Sequence, residues 1–97
     1  MKLSSSSIAA RLARLPGWSR RGDAIVRQFA FPAFADAIAF TVRIGFEAEA
    51  ADHHPDLLVS YRRVTVTWST HSAGGVTTRD FDGARQADRV AETLGGK

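Results

Sequence analysis

The stretch from residue 49 to residue 80 decides the fold, and it reads EAADHHPDLLVSYRRVTVTWSTHSAGGVTTRD. Within it, residues 63–70 alternate apolar and polar side chains, which is typical of a half-buried strand. Pro55 cannot continue a preceding helix. Residues 56–60, which follow it, are predicted to form a short strand that precedes the strand at residues 63–70. The stretch therefore predicts a pair of neighbouring strands.

A helix is predicted to follow this strand pair. Gly74 and Gly75 end the second strand, and Thr77 followed three positions later by Asp80 is typical of a capping box. The apolar residues beyond it recur with helical spacing and predict one buried stripe. That stripe consists of Phe81, Ala84, Ala87, Ala91 and Leu94.

Before the quoted stretch, the chain predicts a first helix and two strands. Ser7 or a neighbouring serine can cap the helix, and residues 16–17 (Pro-Gly) end it. Strands are predicted at Trp18–Arg20 and Ala24–Phe31, joined by a turn at residues 21–23. The apolar stripe of the helix consists of Ile8, Leu12 and Leu15.

A second helix is predicted from Pro32 to Ala51, because proline suits a first helical turn and apolar residues recur with a 3.6-residue period. Phe34, Phe40 and Phe46 are expected to supply the bulk of its core contacts. The complete order is α-β-β-α-β-β-α. It predicts one α+β domain over residues 1–97, with a four-stranded antiparallel sheet covered by helices.

Composition limits the classes of function. The chain has no cysteine, which excludes disulfides and thiolate nucleophiles and suits a reducing cytoplasm. No apolar run approaches the roughly 20 residues that span a bilayer. The net charge of +3 comes from scattered arginines, which usually form a solvated surface. We therefore expect a cytoplasmic protein that binds neither a membrane nor a nucleic acid.

All three histidines of the chain, His53, His54 and His71, fall within the quoted stretch. Histidine has an ordinary pKa of about 6.5, so a cluster of this kind suits proton transfer near neutral pH. Two other interpretations remain open. The adjacent pair can cap the carboxyl end of the second helix, or the three rings can bind zinc with Asp52 or Glu49. The spacing lacks a helical His-x-x-x-His pair and any cysteine, which favours a site without metal.

The residue types and their spacing together resemble the signature of the pterin-4a-carbinolamine dehydratase family. An acid stands four positions before His53, an aromatic residue, Tyr61, seven positions after His54, and His71 leads into Gly-Gly and an acid. The resemblance extends to Leu15–Trp18 and covers most of the chain. It implies the family's α+β fold, no cofactor and association into homodimers or homotetramers.

The resemblance also implies roles for individual residues. His53 and His71 match the family's acid/base histidines, and His54 matches a histidine that contacts and orients the pterin. Apart from the resemblance, two acids are expected to support these rings. Glu49 lies one helical turn before His53 and either biases the charge of that ring or is simply solvated, and Asp80 caps the last helix and can orient His71. The positions that match substrate-contact segments are Asp52, Ser69, Thr70 and Ser72. By themselves, Tyr61 and Trp68 are expected in the core.

The activity that the resemblance implies is dehydration of 4a-hydroxytetrahydrobiopterin to quinonoid dihydropterin and water. Such an enzyme recycles tetrahydrobiopterin for aromatic amino-acid hydroxylases, with phenylalanine hydroxylase as a partner. The same fold also has members that act as dimerisation cofactors of transcription regulators or as assembly chaperones. A non-catalytic binding role is therefore the alternative, because intact histidines do not exclude it.

Overall fold

The computed structural model describes the whole chain, Met1 to Lys97. Its helices and strands are α1 (Ser5–Leu12), β1 (Ser19–Arg21), β2 (Ala24–Ala30), α2 (Phe34–Ala51), β3 (Asp56–Ser60), β4 (Arg63–Trp68) and α3 (Thr78–Thr93). The strands form one antiparallel sheet in the spatial order β1-β2-β4-β3. The predicted α+β class and element order are confirmed. A 3₁₀ turn at His71–Ala73, between β4 and α3, was not predicted.

The core lies between the helices and one face of the sheet. Pairing of β2 with β4 sets Ile25 opposite Trp68 and Phe29 opposite Val64, and all four side chains are buried. Phe40 of α2 packs on this face, with its ring centre 5.0 Å from that of Phe29. Aromatic pairs at this separation add to the stability that burial itself provides. This packing places the end of α2 and the start of α3 beside the end of β4.

Local signals set the ends of the helices. A neighbouring serine, Ser4, caps α1, and its hydroxyl accepts the Ser7 N–H. At α3 the predicted capping box is present. The Thr77 hydroxyl accepts the Arg79 N–H, and the Asp80 carboxylate accepts the Thr77 N–H. Helix α2 begins at Phe34, two residues later than predicted, because Ala33 still has extended backbone angles.

Three aromatic residues do not lie where the sequence pattern placed them. Phe34 and Phe46 are exposed, whereas only Phe40 of the predicted trio is buried. Tyr61, expected in the core, is 69% exposed because it forms the two-residue turn between β3 and β4, where its φ is 51°. Its ring stacks on that of Phe34 at 6.5 Å between centres. Trp68 is buried as expected.

None of the helices has the combination of length and apolar character that crossing a membrane requires.

Candidate functional site

The end of α2 directs His53 towards the protein interior. Asp52 follows the helix in the left-handed conformation (φ 51°, ψ 42°), and the His53 N–H then donates to the Ala48 carbonyl oxygen. Nη2 of Arg79 donates to the carbonyl oxygens of Ala51 and Asp52, at 3.1 and 2.8 Å. These bonds satisfy carbonyls that the helix end leaves without partners. They also fix the backbone that carries His53 against the first turn of α3.

His53 meets a fully buried carboxylate. Its Nε2 lies 2.6 Å from Oδ1 of Asp80, whose side chain is 0% exposed. The other carboxylate oxygen, Oδ2, accepts the Thr70 hydroxyl and the Thr77 N–H, each at 2.8 Å. An ionised carboxylate only accepts hydrogen bonds, so this arrangement favours the His53 tautomer with its proton on Nε2. Nδ1 is then the nitrogen that carries the free lone pair.

The wall of a cavity lies next to this pair. The His53 ring stacks on the Trp68 indole, with 5.2 Å between ring centres and 21° between planes. Both residues, together with Arg79, Gly83 and Gln86, line a cavity of about 260 Å³ between α2 and α3. This volume is slightly below the roughly 300 Å³ at which typical ligand pockets begin, so the cavity has room only for a small ligand, of the size of one or two rings.

His54 has a different environment from His53. Its Nε2 lies 2.7 Å from Oε1 of Glu49, and the two side chains are 57% and 79% exposed. The prediction that Glu49 lies beside His53 is therefore wrong. The left-handed turn at Asp52 carries His53 inward and leaves His54 on the side of Glu49. Pairs this exposed are screened by water and contribute little to stability.

His71 is exposed in the 3₁₀ turn and lines neither the cavity beside His53 nor the one beside Thr70. The expectation that Asp80 orients His71 is wrong, because the carboxylate bonds to His53 instead. The preceding residue, Thr70, is buried and joins the Asp80 cluster through its hydroxyl. The backbone at Thr70 therefore connects His71 to the pair, although its ring is turned to solvent.

The residues matched to substrate contacts separate into two groups. Thr70 and Ser72 line a second cavity of about 480 Å³, which shares Arg79 with the first. Ser69 donates its hydroxyl to the Asp23 carbonyl oxygen at 2.7 Å, and the Asp52 side chain is exposed. Neither of these two lines a described cavity.

Of the residues that line the first cavity, sequence reasoning named only His53 as a site residue, and Trp68, Arg79 and Gly83 are among those it missed. Trp68 gave a signal, since it shares the inward face of β4 with Val64 and Val66 and is the inward residue nearest His71. Arg79 and Gly83 gave none, because both depend on how α3 docks against α2 and β4. Nowhere do three His, Asp or Glu side chains come close enough to hold a metal ion.

Comparison with known proteins shows which family the chain resembles. A family model described as "Pterin 4 alpha carbinolamine dehydratase" matches residues 1–90. A protein of Roseiflexus sp. (strain RS-1), named "Putative pterin-4-alpha-carbinolamine dehydratase", is 48% identical over 92% of this chain and 96% of its own length. One from Nocardia farcinica with the same name is 51% identical over 92% and 94%.

Solved structures share the fold. The "transcriptional coactivator/pterin dehydratase" from Brucella melitensis superposes with a TM-score of 0.90 and 38% identity, covering 94% of this chain and 99% of that one. A "pterin dehydratase-like protein", described as a RuBisCO assembly factor of the alpha-carboxysome, gives a TM-score of 0.63 at 20% identity, covering 76% and 86%. That second likeness concerns the fold alone. The chain belongs to the pterin-4a-carbinolamine dehydratase family.

Proposed function

We propose that this protein dehydrates a 4a-hydroxytetrahydropterin, such as 4a-hydroxytetrahydrobiopterin, to the quinonoid dihydropterin and water. The observation that carries the proposal is the His53–Asp80 pair beside a cavity of ring size. A histidine whose second nitrogen is held by a buried carboxylate is a typical proton-exchanging group. Family membership supports the same substrate class.

The reaction needs one proton delivered and one removed. The bond between C4a and the hydroxyl oxygen breaks, and the hydroxyl leaves as water after it is protonated. The N5–H proton goes to a base, and its electron pair forms the new double bond between N5 and C4a. Groups that titrate near neutral pH serve both steps, and such catalysis typically contributes about 10²- to 10⁴-fold.

We assign His53 to one of these proton transfers through Nδ1, with Asp80 holding Nε2 and stabilising the charged ring. We assign the other transfer to His71, whose position resembles that of a family acid/base histidine and whose ring is exposed. We propose that His54 contacts and orients the pterin. Asp52, Ser69, Thr70 and Ser72 flank the histidines in the segments proposed to contact it. Glu49 holds His54.

The test is the decay of enzymatically generated 4a-hydroxytetrahydropterin, followed by ultraviolet absorbance. Wild-type protein should accelerate the decay, and the His53→Ala/His71→Ala variant should lose that acceleration while its circular dichroism stays native. Folded wild-type protein that gives no acceleration would contradict the proposal.

In the cell, we propose that this reaction recycles tetrahydrobiopterin in the cytoplasm for an aromatic amino-acid hydroxylase such as phenylalanine hydroxylase. The proposal rests on the substrate, because the carbinolamine is the product that such hydroxylases leave. A cell that lacks the protein should then accumulate pterin by-products when its hydroxylase is active, which liquid chromatography of cell extracts measures.

A binding role is the second candidate, and one surface favours it. Phe34, Ile38, Val42 and Phe46 recur every four residues on α2, and all are exposed. We propose that this stripe pairs with α2 of a second copy in a homodimer or homotetramer. Antiparallel helices would set Phe34 against Phe46 and Ile38 against Val42, which satisfies the two-fold symmetry of such contacts.

Light scattering after size-exclusion chromatography tests the assembly. Wild-type protein should give two or four times the monomer mass of 10.5 kDa, and Val42→Glu should give the monomer mass. Val42→Glu that keeps the wild-type mass would contradict the proposed contact. The Brucella relative's description as a transcriptional coactivator is the reason to examine further partners of the same surface.

A further inference from the structure

We infer that Trp68 is a positioning residue for the reaction: its indole fixes the plane of the His53 imidazole, so that Nδ1 points in one direction. This inference deepens the proposed function and rests on it for the kinetic part of its test. It concerns a residue that the family resemblance did not single out.

The hydrogen bond to Asp80 fixes only part of the His53 geometry. It holds one atom, Nε2, at 2.6 Å from Oδ1. Because this bond restrains the ring through a single atom, some rotation about the Cβ–Cγ bond remains possible, and that rotation changes the direction of Nδ1. A second contact on the face of the ring is needed to stop this rotation. The indole of Trp68 supplies that contact, since the two planes differ by only 21°.

Trp68 is itself held by close packing on α3. A Cβ added at Gly83 would lie 2.6 Å from both Cε2 and Cζ2 of the indole, far inside van der Waals contact. Only glycine at that position lets the ring come this near the helix. The indole therefore contacts both α3 and the His53 imidazole, and the residue is 3% exposed.

The N–H group of Trp68 makes no hydrogen bond, so we infer that Trp68 acts through its flat ring. Its Nε1 is buried and has no hydrogen-bond partner in the protein. A buried donor without a partner is costly, and phenylalanine or leucine would avoid that cost. The other tryptophan, Trp18, differs, because its Nε1 donates to Oδ1 of Asp88 at 2.9 Å. Trp18 is thus held by a hydrogen bond, whereas Trp68 is held by its faces and edges.

The kinetic test compares Trp68→Leu with Trp68→Phe. Leucine keeps apolar bulk but removes the flat face, so kcat should fall about 10- to 100-fold while KM changes by less than about twofold. Phenylalanine keeps a flat face and removes only the unpaired donor, so kcat should stay within about threefold of wild type. Trp18→Leu is the matched control, since it truncates the other buried indole away from the site and should leave kcat unchanged.

The second readout is independent of activity. Nitrogen-15 NMR of the His53 ring should show one tautomer with narrow signals in wild type and in Trp68→Phe, and broadened or averaged signals in Trp68→Leu. Unchanged His53 signals in a folded Trp68→Leu protein would overturn the inference. So would a rise in KM at constant kcat, which would mean that Trp68 contacts the ligand.

The two proposals fail in different ways. If wild-type protein dehydrates no 4a-hydroxytetrahydropterin but its His53 signals respond to Trp68→Leu as expected, the proposed reaction is wrong and the positioning of His53 by Trp68 is supported. If wild-type protein is active and folded Trp68→Leu keeps its kcat, the proposed reaction stands and the positioning role is wrong.

Discussion

The adjacent residues His53 and His54 bind carboxylates with nearly the same geometry but in opposite surroundings. Their Nε2 atoms lie 2.6 and 2.7 Å from carboxylate oxygens. The first pair is 10% and 0% exposed, and the second is 57% and 79% exposed. Because water screens charge, the same distance means a strong constraint in one pair and a weak one in the other.

The comparison teaches that a hydrogen-bond distance alone does not identify a functional pair. Asp80 accepts bonds from three separate parts of the chain, at His53, Thr70 and Thr77. Glu49 has only His54. The buried pair therefore joins α2, β4 and α3 into one site, whereas the exposed pair is local to the end of α2.

The largest effect on stability is expected for Asp80→Ala. The change leaves the Thr70 hydroxyl, the Thr77 N–H and the His53 ring without their buried acceptor. The free energy of unfolding should fall by about 3 kcal/mol, as measured by urea denaturation. Asp82→Ala is the control, because Asp82 lies on the same helix but is exposed and bonds only to Arg85, and it should change stability by less than about 0.5 kcal/mol. Equal losses in the two variants would remove the distinction between buried and exposed carboxylates.

A smaller loss of stability is expected for Gly83→Ala, which tests the packing of Trp68 on α3 beside the buried pair. The new Cβ would collide with the Trp68 indole, so stability should fall by about 1–3 kcal/mol. Gly45→Ala is the matched control in α2. Nothing lies within 4 Å of a Cβ there, and removing a helical glycine should raise stability by about 0.5–1 kcal/mol. Thermal unfolding should show a lower melting temperature for Gly83→Ala and a higher one for Gly45→Ala. A Gly83→Ala protein that is more stable than wild type would contradict the close packing.

The smallest effect is expected for Glu49→Gln. The exposed Glu49–His54 pair should contribute less than about 0.5 kcal/mol at low salt, and this difference should vanish in 1 M sodium chloride, where the screening length is about 3 Å. Urea denaturation at both salt concentrations is the measurement. A loss that approaches the Asp80→Ala value would show that the two pairs are equivalent after all.

Much of the fold was predictable because its signals are local. Alternation at Arg63–Trp68 gave β4, and the pairing of Thr77 with Asp80 gave the start of α3. The exposed positions of Phe34 and Phe46 were not predictable in this way. Helical spacing shows that apolar residues share a stripe, but it does not show whether that stripe meets the protein's own core or a partner.

The histidine–carboxylate cluster was visible in the sequence, but its contacts and most of the cavity wall were not. The clustering of three histidines with carboxylates was visible in the sequence, and His53 and Asp80 were both named from it. Which carboxylate each ring meets depends on the left-handed turn at Asp52, a conformation that a non-glycine residue rarely adopts. It also depends on the docking of α3, which brings Asp80 to a histidine 27 positions earlier in the chain.

The central claim is that His53, held by Asp80, exchanges a proton with the pterin. The most direct measurement is the dehydration rate of 4a-hydroxytetrahydropterin by His53→Ala, with and without added imidazole, beside His54→Ala. We predict that His53→Ala loses about 100-fold or more in kcat and regains part of it as imidazole is added, whereas His54→Ala mainly raises KM. A folded His53→Ala protein that dehydrates the substrate at the wild-type rate would contradict the claim.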